Sequence, residues 1–165
     1  MDAGDYLSII APDETAYDGF VIGLSGAFVL LQNVEDWRLD GVRAFPLSQI
    51  ADIRHDDVKR GQQAVLEWRR IDRSDRYEWL DLSGFPGLFE SARARGATVV
   101  VHDEEVCDLG VVIAAGDSAV VLRTIDTGGN WEEEPWSVDY QDIWQVCLGD
   151  AYSDVLRAHA DRLSD

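Results

Sequence analysis

The sequence predicts a mainly β protein with two short helices, arranged as two tandem small β-barrels. One observation is an internal repeat: residues 9–18 align with residues 99–108 at an offset of 90, and residues 45–53 align with residues 138–146. The other is that each repeat, about 50 residues long, contains short apolar runs separated by tight turns. Four or five short strands in so short a unit are typical of a strongly bent barrel.

The strands are indicated by alternation and by turn residues. In residues 18–24 the larger apolar side chains occupy alternate positions, which is the period of a strand with one buried face. Ser25 and Gly26 then provide a turn before an apolar run at residues 28–34. The second repeat has the same order of elements: a turn at 115–117, a strand at 119–125 and a polar loop at 126–134.

Two helices are predicted from apolar spacing. The first precedes the second repeat, with Ser83 as a candidate N-cap and Gly96 as a stop. The second follows Asp150, which can cap it. Its expected apolar stripe consists of Tyr152, Val155, Leu156, His159 and Leu163.

The segment between the repeats is ambiguous. Residues 62–82 fit a β-hairpin with a turn at 72–75, whereas a helix over residues 58–70 fits nearly as well. The hairpin is favoured because Trp, Tyr and Val prefer strands. The domain boundaries that follow are a first barrel unit at 1–60, a connecting hairpin or helix at 61–82, and a second barrel unit with both helices at 83–165.

The charge is strongly acidic and unevenly placed. The chain has 32 acidic against 14 basic residues, for a net charge of −18, which makes phosphate and nucleic-acid binding unlikely. Residues 101–150 contain 12 acids and one base, whereas residues 54–76 contain seven of the bases. Because apolar runs are short, no signal peptide is apparent and the two cysteines form no CxxC pair, we expect a cytoplasmic protein without a membrane segment.

The first repeat resembles the Sm-like small-barrel family, which includes bacterial RNA chaperones. The resemblance is carried by the apolar patterns of residues 18–23, 28–33 and 47–53. It implies an Sm-like or SH3-like barrel in each repeat and assembly through strand edges. The Lys-His pair with which the chaperones contact RNA is replaced by Leu47-Ser48 and Tyr140-Gln141, so the resemblance does not carry RNA binding to this chain.

The candidate partner-binding residues combine tryptophan with acid, which is typical of interface anchors surrounded by charge. They lie in two loops that we interpret as equivalent: Trp37 in the first repeat, and Trp131, Glu132, Glu133, Glu134 and Trp136 in the second. The alternative is that the tryptophan rings close the ends of the barrels. No nucleophile motif or metal-ligand spacing is present, so no enzyme activity, cofactor or metal is expected.

The function predicted first is a non-catalytic, acidic protein-binding module that engages a basic partner, as an inhibitor, an immunity protein or a nucleic-acid mimic would. A second hypothesis is an Sm-like protein that binds nucleic acid through the 54–76 segment, with Trp68, Tyr77 and Trp79 for base stacking. Its candidate binding residues are Arg69, Arg70, Arg73 and Arg76. A third is a self-associating structural protein.

Overall fold

The computed structural model describes residues 1–103 and 106–164. The expected mainly β fold is confirmed: ten antiparallel strands form one open sheet, accompanied by three helices. The strands are β1 (Tyr6–Ile10), β2 (Ala16–Leu24), β3 (Phe28–Glu35), β4 (Arg38–Pro46), β5 (Asp52–Arg54), β6 (Thr98–His102), β7 (Cys107–Ala115), β8 (Ala119–Thr124), β9 (Trp136–Asp139) and β10 (Gln145–Leu148). The helices are α1 (Asp57–Trp68), α2 (Phe85–Arg95) and α3 (Ala151–Ser164).

The sheet consists of two halves with the same strand order. The first half runs β5-β1-β2-β3-β4 and the second runs β10-β6-β7-β8-β9. The halves are joined where β4 pairs with β10, with Ala44 opposite Val146. Strands β5 and β9 are therefore the two open edges of the sheet.

Strand pairing also shows which residues of the two halves are equivalent. Val21 lies opposite Leu31, and Val112 lies opposite Leu122, each directly before a bulge. These pairs correspond at an offset of 91, so the alignment at 90 is one residue out in β2. Four residues separate β6 from β7, whereas five separate β1 from β2. The alignment at an offset of 90 is therefore two residues out in β1. The alignment at an offset of 90 therefore does not match equivalent positions in β1 and β2.

The favoured hairpin at residues 62–82 is wrong, and the alternative, a helix, is present as α1. The Asp56 carboxylate caps α1 by accepting a hydrogen bond from the Lys59 amide at 3.0 Å. Leu66 is fully buried against Tyr6 and Phe20, so the helix covers the outer face of β1 and β2. The Lys59 ammonium also contacts the Asp18 carboxylate at 2.7 Å, which ties the same helix to the sheet.

The other two helices lie where they are expected. Helix α2 ends at Gly96 in the left-handed conformation and buries Leu88 and Phe89, although Gly84 rather than Ser83 is its N-cap. Helix α3 is capped by Asp150, whose carboxylate accepts from the Ser153 amide at 2.9 Å.

The expected apolar stripe of α3 is largely wrong. Tyr152, Val155 and Leu163 are exposed, and the helix instead packs through Leu156 and the fully buried Ala160. The buried residues of α3 are the small residues Ser153 and Ala160, whereas its three exposed larger apolar side chains face away from the sheet. In the described part of the chain, no helix has the length and apolar character needed to cross a membrane.

Candidate binding edge at strand β9

Strand β9 is an open edge that carries an exposed tryptophan. Among the described strands it pairs only with β8, where Trp136 lies opposite Leu122 and Asp139 lies opposite Ala119. Val138 is buried in the core, whereas Trp136 is 52% exposed. The unpaired backbone groups along such an edge can accept a further strand.

The loop before β9, residues 126–134, is termed the acidic loop. Glu132, Glu133 and Glu134 are all exposed, and the Glu132 carboxylate accepts a hydrogen bond from the Thr124 hydroxyl. Among residues 1–103 and 106–164, no ion pair involves any of the three glutamates. The acidic loop therefore presents uncompensated negative charge next to the β9 edge.

Asp108 on β7 is a further acidic residue close to Trp136. Its Oδ2 atom is buried without a hydrogen-bond partner, and its carboxyl group interacts with the Trp136 side chain. Burial raises the pKa of Asp108 above its usual value, and the neighbouring charges of Asp103 and Glu132 add to that effect. Burial and neighbouring negative charge thus both favour the protonated form of Asp108.

Trp131 is packed into the fold. Its ring lies 4.4 Å from the Arg123 guanidinium and 5.2 Å from that of Arg157, and its indole N–H donates to Asp161 at 3.2 Å. The ring also packs on the apolar cluster beneath α3, which includes Leu109. These contacts favour the alternative in which the ring closes the fold over that of a partner anchor.

Trp37 belongs to the other half of the sheet. It occupies the tight turn between β3 and β4, where both Asp36 and Trp37 have left-handed backbone angles, with φ of 47° and 61°. The ring is 39% exposed and borders a groove that Gln62 of α1 also lines. Trp37 therefore borders a groove beside α1, whereas Trp131 contacts α3, and the two rings belong to separate surfaces.

Apart from Lys59, the basic residues of the 54–76 segment are exposed, but their expected aromatic companions are mostly covered. Tyr77 is buried, and Trp79 lies under the Arg95 guanidinium at 5.3 Å. Only Trp68, which is 80% exposed at the end of α1, is available for base stacking. The four exposed arginines are Arg69, Arg70, Arg73 and Arg76.

A polar network at the joint between the halves is not apparent from the sequence. Arg43 donates to Gln145 Oε1 at 3.0 Å and to Cys147 Sγ at 3.1 Å, and the Cys147 thiol lies 3.4 Å from His102 Nε2. Burial raises the pKa of Cys147 to about 12 and lowers the pKa of His102 to about 4. Both groups are neutral near pH 7, so this thiol is not an activated nucleophile.

Within the described residues, no group of three or more His, Cys, Asp or Glu side chains is arranged to hold a metal ion. Comparison of the chain with protein-family models, with curated proteins and with solved structures finds no match in any of the three.

Proposed function

We propose that the protein is a non-catalytic, acidic protein-binding module built from two Sm-like or SH3-like small barrels. The repeated strand order supports the barrel interpretation, since β5 returns to pair with β1 in the first half just as β10 pairs with β6 in the second. A short 3₁₀ turn precedes each returning strand, at Leu47–Gln49 and at Tyr140–Asp142. The sharp return of the last strand onto the first is what a five-stranded barrel requires.

The proposed partner is a basic protein that docks on the β9 edge. The observation that carries this proposal is the open β9 edge with its exposed Trp136 ring. Beside it lie the three glutamates of the acidic loop, which form no ion pair among the described residues. Negative charge accelerates the encounter with a cationic surface, and this attraction weakens as salt screens it. A half-exposed tryptophan supplies the apolar contact that slows dissociation.

The test starts with capture of partners from the host's lysate at low salt, followed by elution with increasing salt. The binding kinetics of a purified basic partner are then compared among variants. Replacing Glu132, Glu133 and Glu134 with Gln is expected to lower the association rate at least tenfold at low salt, because the steering charge is lost. Trp136→Ala is expected mainly to raise the dissociation rate.

A charge-matched control separates the acidic loop from the overall charge. The control variant replaces Glu14, Glu67 and Glu78 with Gln, which removes three exposed acids located elsewhere. It should leave the association rate within about twofold of the wild type. Equal loss in both triple variants would assign the effect to net charge and remove the acidic loop from the proposal.

Nucleic acid is the competing partner class, and single-stranded RNA in a filter-binding assay at low salt distinguishes it. Retention that is lost when Arg69 and Arg70 are replaced with Gln would support the nucleic-acid hypothesis instead. Absence of retention is the expected result, because the chain has a large negative charge and covers Tyr77 and Trp79.

Self-association is a second candidate, favoured by the two open edges. Strands β5 and β9 are the counterparts of β10 and β4, which pair with each other inside the chain. By that correspondence β5 of one copy would pair with β9 of the next, with Ile53 opposite Ser137. Repetition of this head-to-tail contact gives a ring or a filament. Pro135 and Asp139 oppose such pairing, because proline and charge commonly protect edge strands.

Sedimentation velocity over a hundredfold range of concentration tests the second candidate. A defined oligomer that dissociates in Ser137→Lys would support edge pairing between copies, since a charge at that position disfavours the added strand. Ala64→Lys, which adds the same charge at an exposed position of α1 in the other half of the chain, is the control. A monomer at every concentration would exclude self-association and leave the basic partner as the proposal.

A further inference from the structure

We propose that a groove beside the first half of the sheet binds a small zwitterion with an apolar side chain, such as a free amino acid. The groove has a volume of about 560 Å³ and lies between the N-terminal segment and residues 73–78. Small-molecule sites commonly have volumes of about 300–1,000 Å³, so the groove is large enough for an amino acid. This inference concerns a surface separate from the β9 edge.

Both walls of the groove are held by hydrogen bonds to the sheet. On one side the Gly4 amide donates to the Val21 carbonyl at 2.7 Å, and the Val21 amide donates to the Asp5 carbonyl at 2.9 Å. On the other side the Ser74 amide donates to Gln32 Oε1 at 2.7 Å, and Gln32 is itself buried. The groove is therefore formed before any ligand binds, which lowers the entropic cost of binding.

The groove has an apolar floor. Val21, Ile22, Leu30 and Tyr77 are its apolar lining residues, and of these Ile22 is partly exposed. An aliphatic or aromatic side chain placed there would be removed from water, which is worth about 25 cal/mol for each Å² of apolar surface.

Charges of both signs line the groove without pairing with each other. Arg73 lies against the Cα atom of Gly4, where a Cβ atom would overlap the guanidinium group. Asp75 and Glu78 line the same groove. In the part of the chain that the structure describes, none of these three side chains belongs to an ion pair.

This charge arrangement selects the class of ligand. A simple anion would contact Arg73 but meet repulsion from two carboxylates, and a simple cation would contact the carboxylates but leave Arg73 without a counter-charge. An amino acid presents both charges a few ångströms apart. Its carboxylate would bind the planar Arg73 guanidinium in a bidentate manner, its ammonium would bind Asp75 or Glu78, and its side chain would cover Leu30.

The test is titration of the full chain with L-leucine and L-phenylalanine, followed by calorimetry and by amide chemical shifts. Shifts are expected at Gly4, Ser74 and Tyr77 but not at Trp136. Leucinamide, which lacks the carboxylate, and N-acetyl-leucine, which lacks the ammonium, should each bind at least tenfold more weakly than leucine. Absence of any shift at about 10 mM amino acid, tenfold above a Kd of about 1 mM, would overturn the proposal.

Variants assign each charge to its role. Arg73→Gln should weaken leucine binding at least tenfold and abolish the preference for leucine over leucinamide. Combined Asp75→Asn and Glu78→Gln should abolish the preference for leucine over N-acetyl-leucine. Equal binding of leucine and both analogues by the wild type would overturn the assignment, as would retention of either preference in the corresponding variant.

Matched controls account for the loss of a charge and for unfolding. Arg69→Gln and Glu67→Gln each remove one exposed charge outside the groove and should bind leucine as the wild type does. The amide spectrum of each variant shows whether the fold is retained. Gly4→Ala provides a further test that retains every charge. The added methyl group overlaps the Arg73 guanidinium and strains the backbone at a φ of 100°, so both walls of the groove shift and leucine binding should weaken.

Discussion

Replacing Trp131 with alanine distinguishes a tryptophan that stabilises the fold from one that anchors a partner. The two guanidinium groups beside its ring, from Arg123 and Arg157, contribute about 0.5–1 kcal/mol each at a partly exposed site. The hydrogen bond to Asp161 adds about 1 kcal/mol. Packing of the half-buried indole on the cluster that contains Leu109 contributes about 1 kcal/mol more.

We therefore expect Trp131→Ala to lower the free energy of unfolding by about 3 kcal/mol, within the range seen for truncation of large aromatic side chains. Trp136→Ala is the matched comparison. That ring is half exposed and interacts with the Asp108 carboxyl group, so its loss should lower the free energy of unfolding by about 1 kcal/mol or less.

The assay is urea unfolding followed by far-ultraviolet circular dichroism, with the m-value checked for each variant. Circular dichroism is preferred to fluorescence because the chain contains six tryptophans. If Trp131→Ala unfolds within about 0.5 kcal/mol of the wild type while its affinity for a basic partner falls, the assignment of Trp131 to the fold is refuted. Ring contacts with Arg123 and Arg157 would then have no energetic consequence.

Two further changes test the joint and the sheet. His102 has a pKa lowered to about 4 by burial, so between pH 6.5 and 4 the unfolded chain takes up a proton that the folded chain does not. Stability should therefore fall as the pH decreases through that window, by about 2 kcal/mol at pH 5 relative to pH 7.5. The stability of His102→Gln should therefore fall by about 2 kcal/mol less than that of the wild type over the same pH change. If urea unfolding shows the same loss of stability in both proteins, the argument is contradicted. A Cβ atom at Gly110 would overlap the Arg123 carbonyl oxygen, so Gly110→Ala should lower the free energy of unfolding by about 1–3 kcal/mol. Gly26→Ala, whose Cβ atom would meet open space, should change it by less than about 0.5 kcal/mol, and equal values would show that the strands relax freely.

The strands and α2 could be predicted from the sequence because their apolar periods and turn residues agree. Helix α1 was not favoured because Val65 and Trp68 prefer strands, yet both are largely exposed and do not determine the local structure. The helix is set instead by the Asp56 cap and by the burial of Leu66, a contact with β1 and β2 far away in the chain. Such tertiary contacts are invisible to a local pattern.

The candidate site was predicted only in part, for a similar reason. The exposure of Trp136 and of the three glutamates agrees with their expected surface position. Trp131 has the same local composition, but Arg157 and Asp161 reach it from α3. The groove at Arg73 had no signal of its own, because it requires Gly4 to lie beside a residue almost 70 positions away.

Because Lys59 contacts Asp18, chemical labelling of this lysine can report the detachment of α1 from the sheet. Lys59 is the single lysine of the sequence, and its side chain is 12% exposed. An amine-reactive reagent should therefore label the α-amino group quickly and Lys59 slowly. The ratio of the two labelling rates would report how often α1 detaches from β1 and β2, without any mutation or added dye.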